Sequence, residues 1–157
     1  MKILNINNKE YQLELKGHET LLEVLRVNLG LTGTKTACDE SECGTCAVII
    51  NGKSVLSCII LAAAVEGEKI TTIEGLADGD NLHPVQQAYI DTGAVQCGFC
   101  IPGMIMSSKA LLDHNPHPTQ EEIEYALDGN LCRCAGYPKI FEAVRQAGEE
   151  MGKKDQK

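Results

Sequence analysis

Eight cysteines fall into two tight sets of four, with no thiol left over. The first set reads Cys38-x4-Cys43-x2-Cys46-x11-Cys58 and the second reads Cys97-x2-Cys100-x31-Cys132-x-Cys134. Thiols spaced this closely belong on loops, so the fold must supply two cysteine-lined sites and a scaffold that holds them. Whether such thiols pair as disulfides or bind metal depends on the compartment. The N-terminus, Met1-Lys2-Ile3-Leu4-Asn5, lacks the basic region, apolar stretch and twin-arginine pair of a leader. No apolar run approaches the roughly 20 residues that span a bilayer. These features predict a cytoplasmic protein, where clustered cysteines are metal ligands rather than disulfides. A formal charge of -8 argues against nucleic acid or an anionic membrane as partner. With 157 residues, 43% hydrophobic but only 4% aromatic and without Trp, the chain suits one or two small domains with aliphatic cores.

The first two spacings of the first set match the plant-type pattern in which four thiolates hold a [2Fe–2S] cluster. Gly44, between Cys43 and Cys46, lets the backbone approach a bridging sulfide and offer N–H bonds to it. The second set is less specific, because C-x2-C with a distant C-x-C also fits a zinc knuckle, and four-cysteine zinc remains open for the first set as well. Two iron–sulfur clusters in one small chain would make a wire, since one-electron carriers in series join distant redox partners. Arg133 lies between two ligands, placed either to balance charge or simply in solvent. Gln96 precedes Cys97. His18, His83, His114 and His117 are scattered without ligand spacing, and His114 and His117 read as exposed on a turn around Pro116. No nucleophile–base pair, phosphate loop or nicotinamide fingerprint is present, so the chain moves electrons without substrate chemistry of its own.

Residues 2–6 and 10–15 alternate apolar and polar around Asn7-Asn8-Lys9, which predicts a β-hairpin. Thr20 with Glu23 forms a capping box, Leu21, Leu22, Leu25 and Leu29 follow at helical spacing, and Gly30 stops the helix. Residues 33–46 are expected to be a cluster-binding loop. Residues 47–50 and 54–56 flank Asn51-Gly52, a second hairpin signal, and a last strand is expected over 69–73. Beyond the linker material from Gly75 to Asn81, helices take over: Pro84–Ile90, Met104–Leu112, a third after the Thr119/Glu122 capping box, and a fourth with Pro138 in its first turn, carrying Ile140, Phe141, Val144 and Ala147. The expected fold class is α+β, with an N-terminal β-grasp ferredoxin-like [2Fe–2S] domain over 1–76, a linker over 77–82 and a helical [2Fe–2S]-binding domain over 83–157. The loops that precede the second and fourth of these helices would bring Cys97 and Cys100 to face Cys132 and Cys134.

Three longer stretches carry a resemblance. Gly33-Thr34-Lys35 followed by Cys38-Asp39-Glu40-Ser41-Glu42-Cys43-Gly44-Thr45-Cys46 resembles the ferredoxin loop of molybdenum hydroxylases. Gln96-Cys97-Gly98-Phe99-Cys100-Ile101-Pro102-Gly103-Met104-Ile105-Met106 resembles their second cluster motif, and Gly129-Asn130-Leu131-Cys132-Arg133-Cys134-Ala135-Gly136-Tyr137 completes it. From the first hairpin to about Gly148 the chain is similar to the small iron–sulfur subunit of the xanthine dehydrogenase family. The resemblance implies an all-α four-helix bundle as the second domain and one [2Fe–2S] cluster in each domain. It also implies a large subunit with molybdopterin and a medium subunit with FAD, assembled as a dimer of heterotrimers. Electrons would pass from molybdenum to the cluster of Cys97, Cys100, Cys132 and Cys134, then to the cluster of Cys38, Cys43, Cys46 and Cys58, then to FAD. Gln96 and Cys134 would touch the pterin, with the second cluster buried at that interface. The implied substrate is xanthine, another purine or another N-heterocycle. Aldehyde oxidoreductases, carbon monoxide dehydrogenases and aryl-CoA reductases use similar subunits.

Some positions depart from the family pattern. Ala37 and Ser41 stand where glycine is usual and are expected to restrict a loop that allows positive φ. Thr45, Ile101 and Ala135 replace the commoner Ala, Thr and Thr, and none of these is a ligand. The competing readings are a free-standing two-cluster ferredoxin, with both clusters near the surface, and a zinc-stapled structural module. The Met104-Ile105-Met106 run favours docking over the free ferredoxin, although a buried helix accounts for it equally.

Overall fold

The computed structural model describes residues 1–154; residues 155–157, the end of the predicted helical domain, lie outside the described residues. Strands β1 (Lys2–Ile6) and β2 (Lys9–Leu13) pair antiparallel with Ile6 opposite Lys9. Asn7 (φ 52) and Asn8 (φ 61) make the two-residue turn between them, both in the left-handed region that a type I′ hairpin demands. Asn51 (φ 49) and Gly52 (φ 82) do the same between β3 (Ala47–Ile50) and β4 (Lys53–Leu56). Strand β5 (Lys69–Thr71) enters between the hairpins, parallel to β1 and antiparallel to β3, which gives the order β2-β1-β5-β3-β4. This mixed sheet, with a helix across one face, is the β-grasp arrangement.

That helix, α1 (Leu21–Glu23), opens on the predicted capping box: the Glu23 N–H donates to Thr20 Oγ1 at 3.1 Å and the Thr20 N–H to the Glu23 carboxylate at 2.8 Å. It does not continue as a regular helix to Leu29. Residues Val24–Asn28 form a π-turn, with the Leu29 N–H reaching back five residues to the Val24 carbonyl at 3.1 Å. Gly30 (φ 68) ends the element as predicted. From the π-turn, Arg26 donates to the carbonyls of Thr32 (3.0 Å) and Thr34 (2.6 Å), fixing the approach to the first cysteine loop. Leu4, Ile6, Leu21, Val24, Leu25, Val48 and Ile70 close the core beneath.

The second domain holds α2 (Pro84–Asp91), α3 (Ile101–His114), α4 (Gln120–Leu127) and α5 (Tyr137–Lys154). α3 begins three residues before the predicted Met104, because Pro102 sits in its first turn, where a missing N–H costs nothing. The Thr119/Glu122 box caps α4 as expected, while α2 is capped by an unpredicted donor–acceptor pair in which His83 Nδ1 accepts the Val85 N–H at 3.2 Å. Met104, Ile105 and Met106 are all buried in the bundle core. Their run therefore does not mark a docking face; a central helix packed on several sides has no polar stripe to show.

Strand β3 joins the halves. Its residues alternate faces: Val48 enters the sheet–α1 core, whereas Ala47 and Ile49 enter the core that α3 leads. The helical domain thus covers the face of the sheet that α1 leaves open, and β3 reads as an unbroken apolar run because it is buried on both faces.

Candidate metal centres

In the first site the loop between α1 and β3 carries Cys38, Cys43 and Cys46, and Cys58 sits on the 3₁₀ turn Ser57–Ile59 that follows β4. The β3–β4 hairpin folds that turn back, and Ser57 donates both its N–H (3.3 Å) and its hydroxyl (2.7 Å) to the Cys46 carbonyl. The thiols meet in pairs, Cys38 with Cys43 and Cys46 with Cys58. The Glu40 N–H points at Cys38 Sγ (3.5 Å) and, with help from Cys43 and the Glu42 N–H, draws the Cys38 thiol down to about 7. Burial pushes the Cys46 thiol up to about 11. Asp39 (φ 55), Ser41 (φ 65) and Gly44 (φ 69) shape the loop. Ser41 thus adopts the left-handed conformation expected of a glycine there, and Ala37 is not asked to.

In the second site Cys97 lies exposed before α3, Cys100 stands at the N-cap of α3, and Cys132 and Cys134 occupy the loop between α4 and α5. Again the thiols pair, Cys97 with Cys134 and Cys100 with Cys132. The Phe99 N–H, and then Cys134, lower the Cys97 thiol; burial, and then Cys132, raise Cys100 to about 12. The Gly136 N–H faces Cys132 Sγ at 3.5 Å, and the Cys132 N–H donates to the Tyr137 hydroxyl at 2.8 Å. Gln96 Nε2 donates to the Cys134 carbonyl at 3.3 Å, which puts Gln96 on the exposed edge of this site. Arg133 is exposed. The histidines lie elsewhere: His83 caps α2, His114 Nε2 is 3.3 Å from the Gly52 carbonyl, the His117 ring rests against Gly152, and His18 is exposed.

Pairing carries chemical information. A lone tetrahedral zinc needs all four thiolates around one point, whereas a [2Fe–2S] cluster takes two thiolates at each iron and leaves room for bridging sulfide between the pairs. Among the described residues no three His, Cys, Asp or Glu side chains converge on a single ion position. An all-thiol donor set in two pairs, with backbone N–H groups aimed at sulfur, fits the binuclear cluster.

The two sites face each other across a cavity of about 400 Å³ lined by Cys43, Thr45, Cys97, Cys100, Cys132 and Tyr137. The Leu131 N–H donates to the Cys43 carbonyl at 3.0 Å, and the Thr45 hydroxyl to the Phe99 carbonyl at 3.3 Å. Sequence reading quoted Thr45, Asn130 and Tyr137 within its motifs without giving them a task. Their only signal was polarity at positions that carry no thiol.

Comparison with known proteins follows this division. Residues 4–77 match the 2Fe-2S iron-sulfur cluster binding domain and residues 72–145 match the [2Fe-2S] binding domain. The nicotinate dehydrogenase small FeS subunit of Eubacterium barkeri is 49% identical over 146 residues, 93% of either chain. The chain belongs to the iron–sulfur subunits of the molybdenum hydroxylases. Another such subunit, the aldehyde oxidoreductase iron-sulfur-binding subunit of Escherichia coli, is 42% identical over 94% of this chain and 71% of its own length. The crystal structure of quinoline 2-oxidoreductase from Pseudomonas putida 86 superposes with a TM-score of 0.93 at 37% identity, covering 98% of this chain and 96% of that one. Subunits of this family transfer electrons within oxidoreductase complexes, and the fold described above is one that the quinoline 2-oxidoreductase chain shares. Among the described residues no helix is long and apolar enough to cross a membrane.

Proposed function

We propose that this chain relays electrons inside a heteromeric molybdenum hydroxylase, between a large molybdopterin-bearing subunit and a medium FAD-bearing subunit. The observation that carries this reading is the approach of the two cysteine sets, with Cys43 of the first and Cys97, Cys100 and Cys132 of the second lining one cavity. In it, Cys97, Cys100, Cys132 and Cys134 hold the cluster on the pterin side, and Cys38, Cys43, Cys46 and Cys58 hold the cluster on the flavin side. A bound [2Fe–2S] cluster accepts and releases one electron at a time. The chain's own residues set the conditions for that exchange. N–H groups of Glu40 and Gly136 face sulfur and favour added negative charge there. Cys46 and Cys58 are buried, while Cys38 and Cys43 form the half-exposed side of the first site. Gln96, fixed to the Cys134 carbonyl, and Cys134 itself present the edge on which the pterin rests. Val95, Phe99 and Leu131, 43%, 48% and 55% exposed, flank the second cysteines and give the large subunit an apolar surface to cover.

The same reading takes 1–76 and 83–157 as the two cluster-binding units joined by 77–82, a cytoplasmic complex, and a dimer of heterotrimers. It favours an N-heterocycle as the substrate of the complex, because relatives are named for nicotinate and quinoline. An aldehyde is the alternative that the Escherichia coli relative supports. The test is EPR of dithionite-reduced, anaerobically purified protein with iron and zinc measured on the same sample. Two distinct spin-half signals and about four irons per chain are expected. A silent spectrum with zinc bound would end the relay reading.

A further inference from the structure

Asn130 belongs to the second cysteine loop, two residues before Cys132, but its side chain works elsewhere. It is 5% exposed. Its Nδ2 donates to the carbonyl of Gly44, in the first cysteine loop, at 3.4 Å. Its Oδ1 accepts from the Ser107 hydroxyl on α3 at 2.7 Å, and Ser107 Oγ lies 3.1 Å from Ser54 Oγ on β4. The Asn130 N–H donates to the Leu127 carbonyl at the end of α4 at 2.8 Å. One residue therefore ties together both cysteine loops, two helices and, through Ser107, the sheet. We infer that Asn130 is a positioning residue that fixes the separation of the two cluster sites.

The backbone around it has been cleared for this contact. A Cβ at Gly44 would lie 2.3 Å from the Gly129 carbonyl oxygen and 2.4 Å from Asn130 Nδ2, and a Cβ at Gly103 would lie 2.4 Å from the Gly44 carbonyl oxygen. The peptide at Gly44 is thus gripped between the first turn of α3 and the second cysteine loop, at van der Waals closeness that only glycine permits. Cys43 is covalently joined to this peptide, and its own carbonyl accepts the Leu131 N–H. Cys132 follows Leu131 directly. The latch consequently acts one residue from Cys43, at Gly44, and two residues from Cys132, at Asn130. The primary amide supplies the donor for Gly44 and the acceptor for Ser107 in one buried side chain; a carboxylate loses the donor, an alkyl group loses both, and buried polar groups left unpaired are destabilising.

The inference rests on the two-cluster reading, and its test separates the two. Pulsed EPR of the reduced holoprotein reads the dipolar coupling between the clusters, which varies with the inverse cube of their distance. A residue that merely packs two domains would change thermal stability and leave that coupling alone. Asn130→Asp keeps the acceptor for Ser107 and removes the donor to Gly44; we expect iron content and both signals to persist while the dipolar frequency shifts and broadens. Ser107→Ala, outside both cysteine loops, should shift it the same way by less, and it decides the matter if Asn130→Asp fails to load both clusters. Unchanged coupling in the loaded variants overturns the inference even if they melt earlier. Absence of two signals in the unaltered protein overturns the relay reading, and the latch with it.

Discussion

Ser41 and Gly44 lie three residues apart in one ligand loop with nearly the same left-handed φ, 65 and 69, yet they answer to different constraints. Ser41 is exposed, so the left-handed backbone is the whole of its cost, roughly 1–2 kcal/mol for an L-residue. At Gly44 the obstacle is contact with Gly129 and Asn130. Gly44→Ala should therefore do more than strain a turn: it should force the second cysteine loop off the first. The expected outcome is a protein that melts earlier and binds less iron than the four-iron form, read by calorimetry and iron analysis on the same preparation. The two positions also mark how far sequence reading reaches. The gathering of the eight cysteines into two sets was legible because most of their spacings are short, and the departure from glycine at position 41 was legible by resemblance. The tight contact at Gly44 was not, because the atoms it meets are more than 80 residues further along the chain.

At the level of elements, the capping boxes were the most readable features, since they involve only neighbours four residues wide. In both, the threonine N–H and hydroxyl hold the glutamate below its ordinary value of 4.5: Thr20 acts on Glu23 and Thr119 on Glu122. A carboxylate whose folded pKa is depressed contributes stability that is fully present above the unfolded value and is lost as pH falls through the folded one. The acid limb of the stability curve should accordingly begin its fall below pH 4.5. Thr20→Ala and Thr119→Ala should each lower stability at neutral pH by about 1 kcal/mol and flatten that limb, measured by denaturant titration across pH. Other element-level features escaped prediction for a common reason. The parallel pairing of Asn5 with Lys69 and the π-turn at Val24–Asn28 are settled by what packs against them, and neither leaves a local pattern. Pro102 misplaced one helix start slightly, because it was taken as a boundary when it sits in the first turn, whereas Pro138 lies in the first turn of its helix as expected.

For the whole molecule, the division into a sheet half and a helical half was visible in the change of periodicity near residue 75. That the halves share a strand was not, because Ala-Val-Ile-Ile reads as any buried strand. Sharing β3 has a measurable consequence: Ile49, 5% exposed and part of the helical core, is backed by Val48 in the other core. The holoprotein should unfold in one calorimetric transition, and Ile49→Ala should shift that single transition by about 2–5 kcal/mol. Two separate transitions, only one of them moved, would show that the cores are independent. The grip on Gly44 also has a consequence in time. A growing polypeptide exposes Cys38, Cys43, Cys46 and Cys58 well before Gly103 and Asn130 have left the ribosome. Until those later residues arrive, the N-terminal site is a set of thiols on an unclamped loop, open to the wrong metal or to oxidation. The contacts that hold the first cysteine loop are therefore complete only once residue 130 has been made, so the site that comes first in the gene waits on the far half of the chain for its clamp.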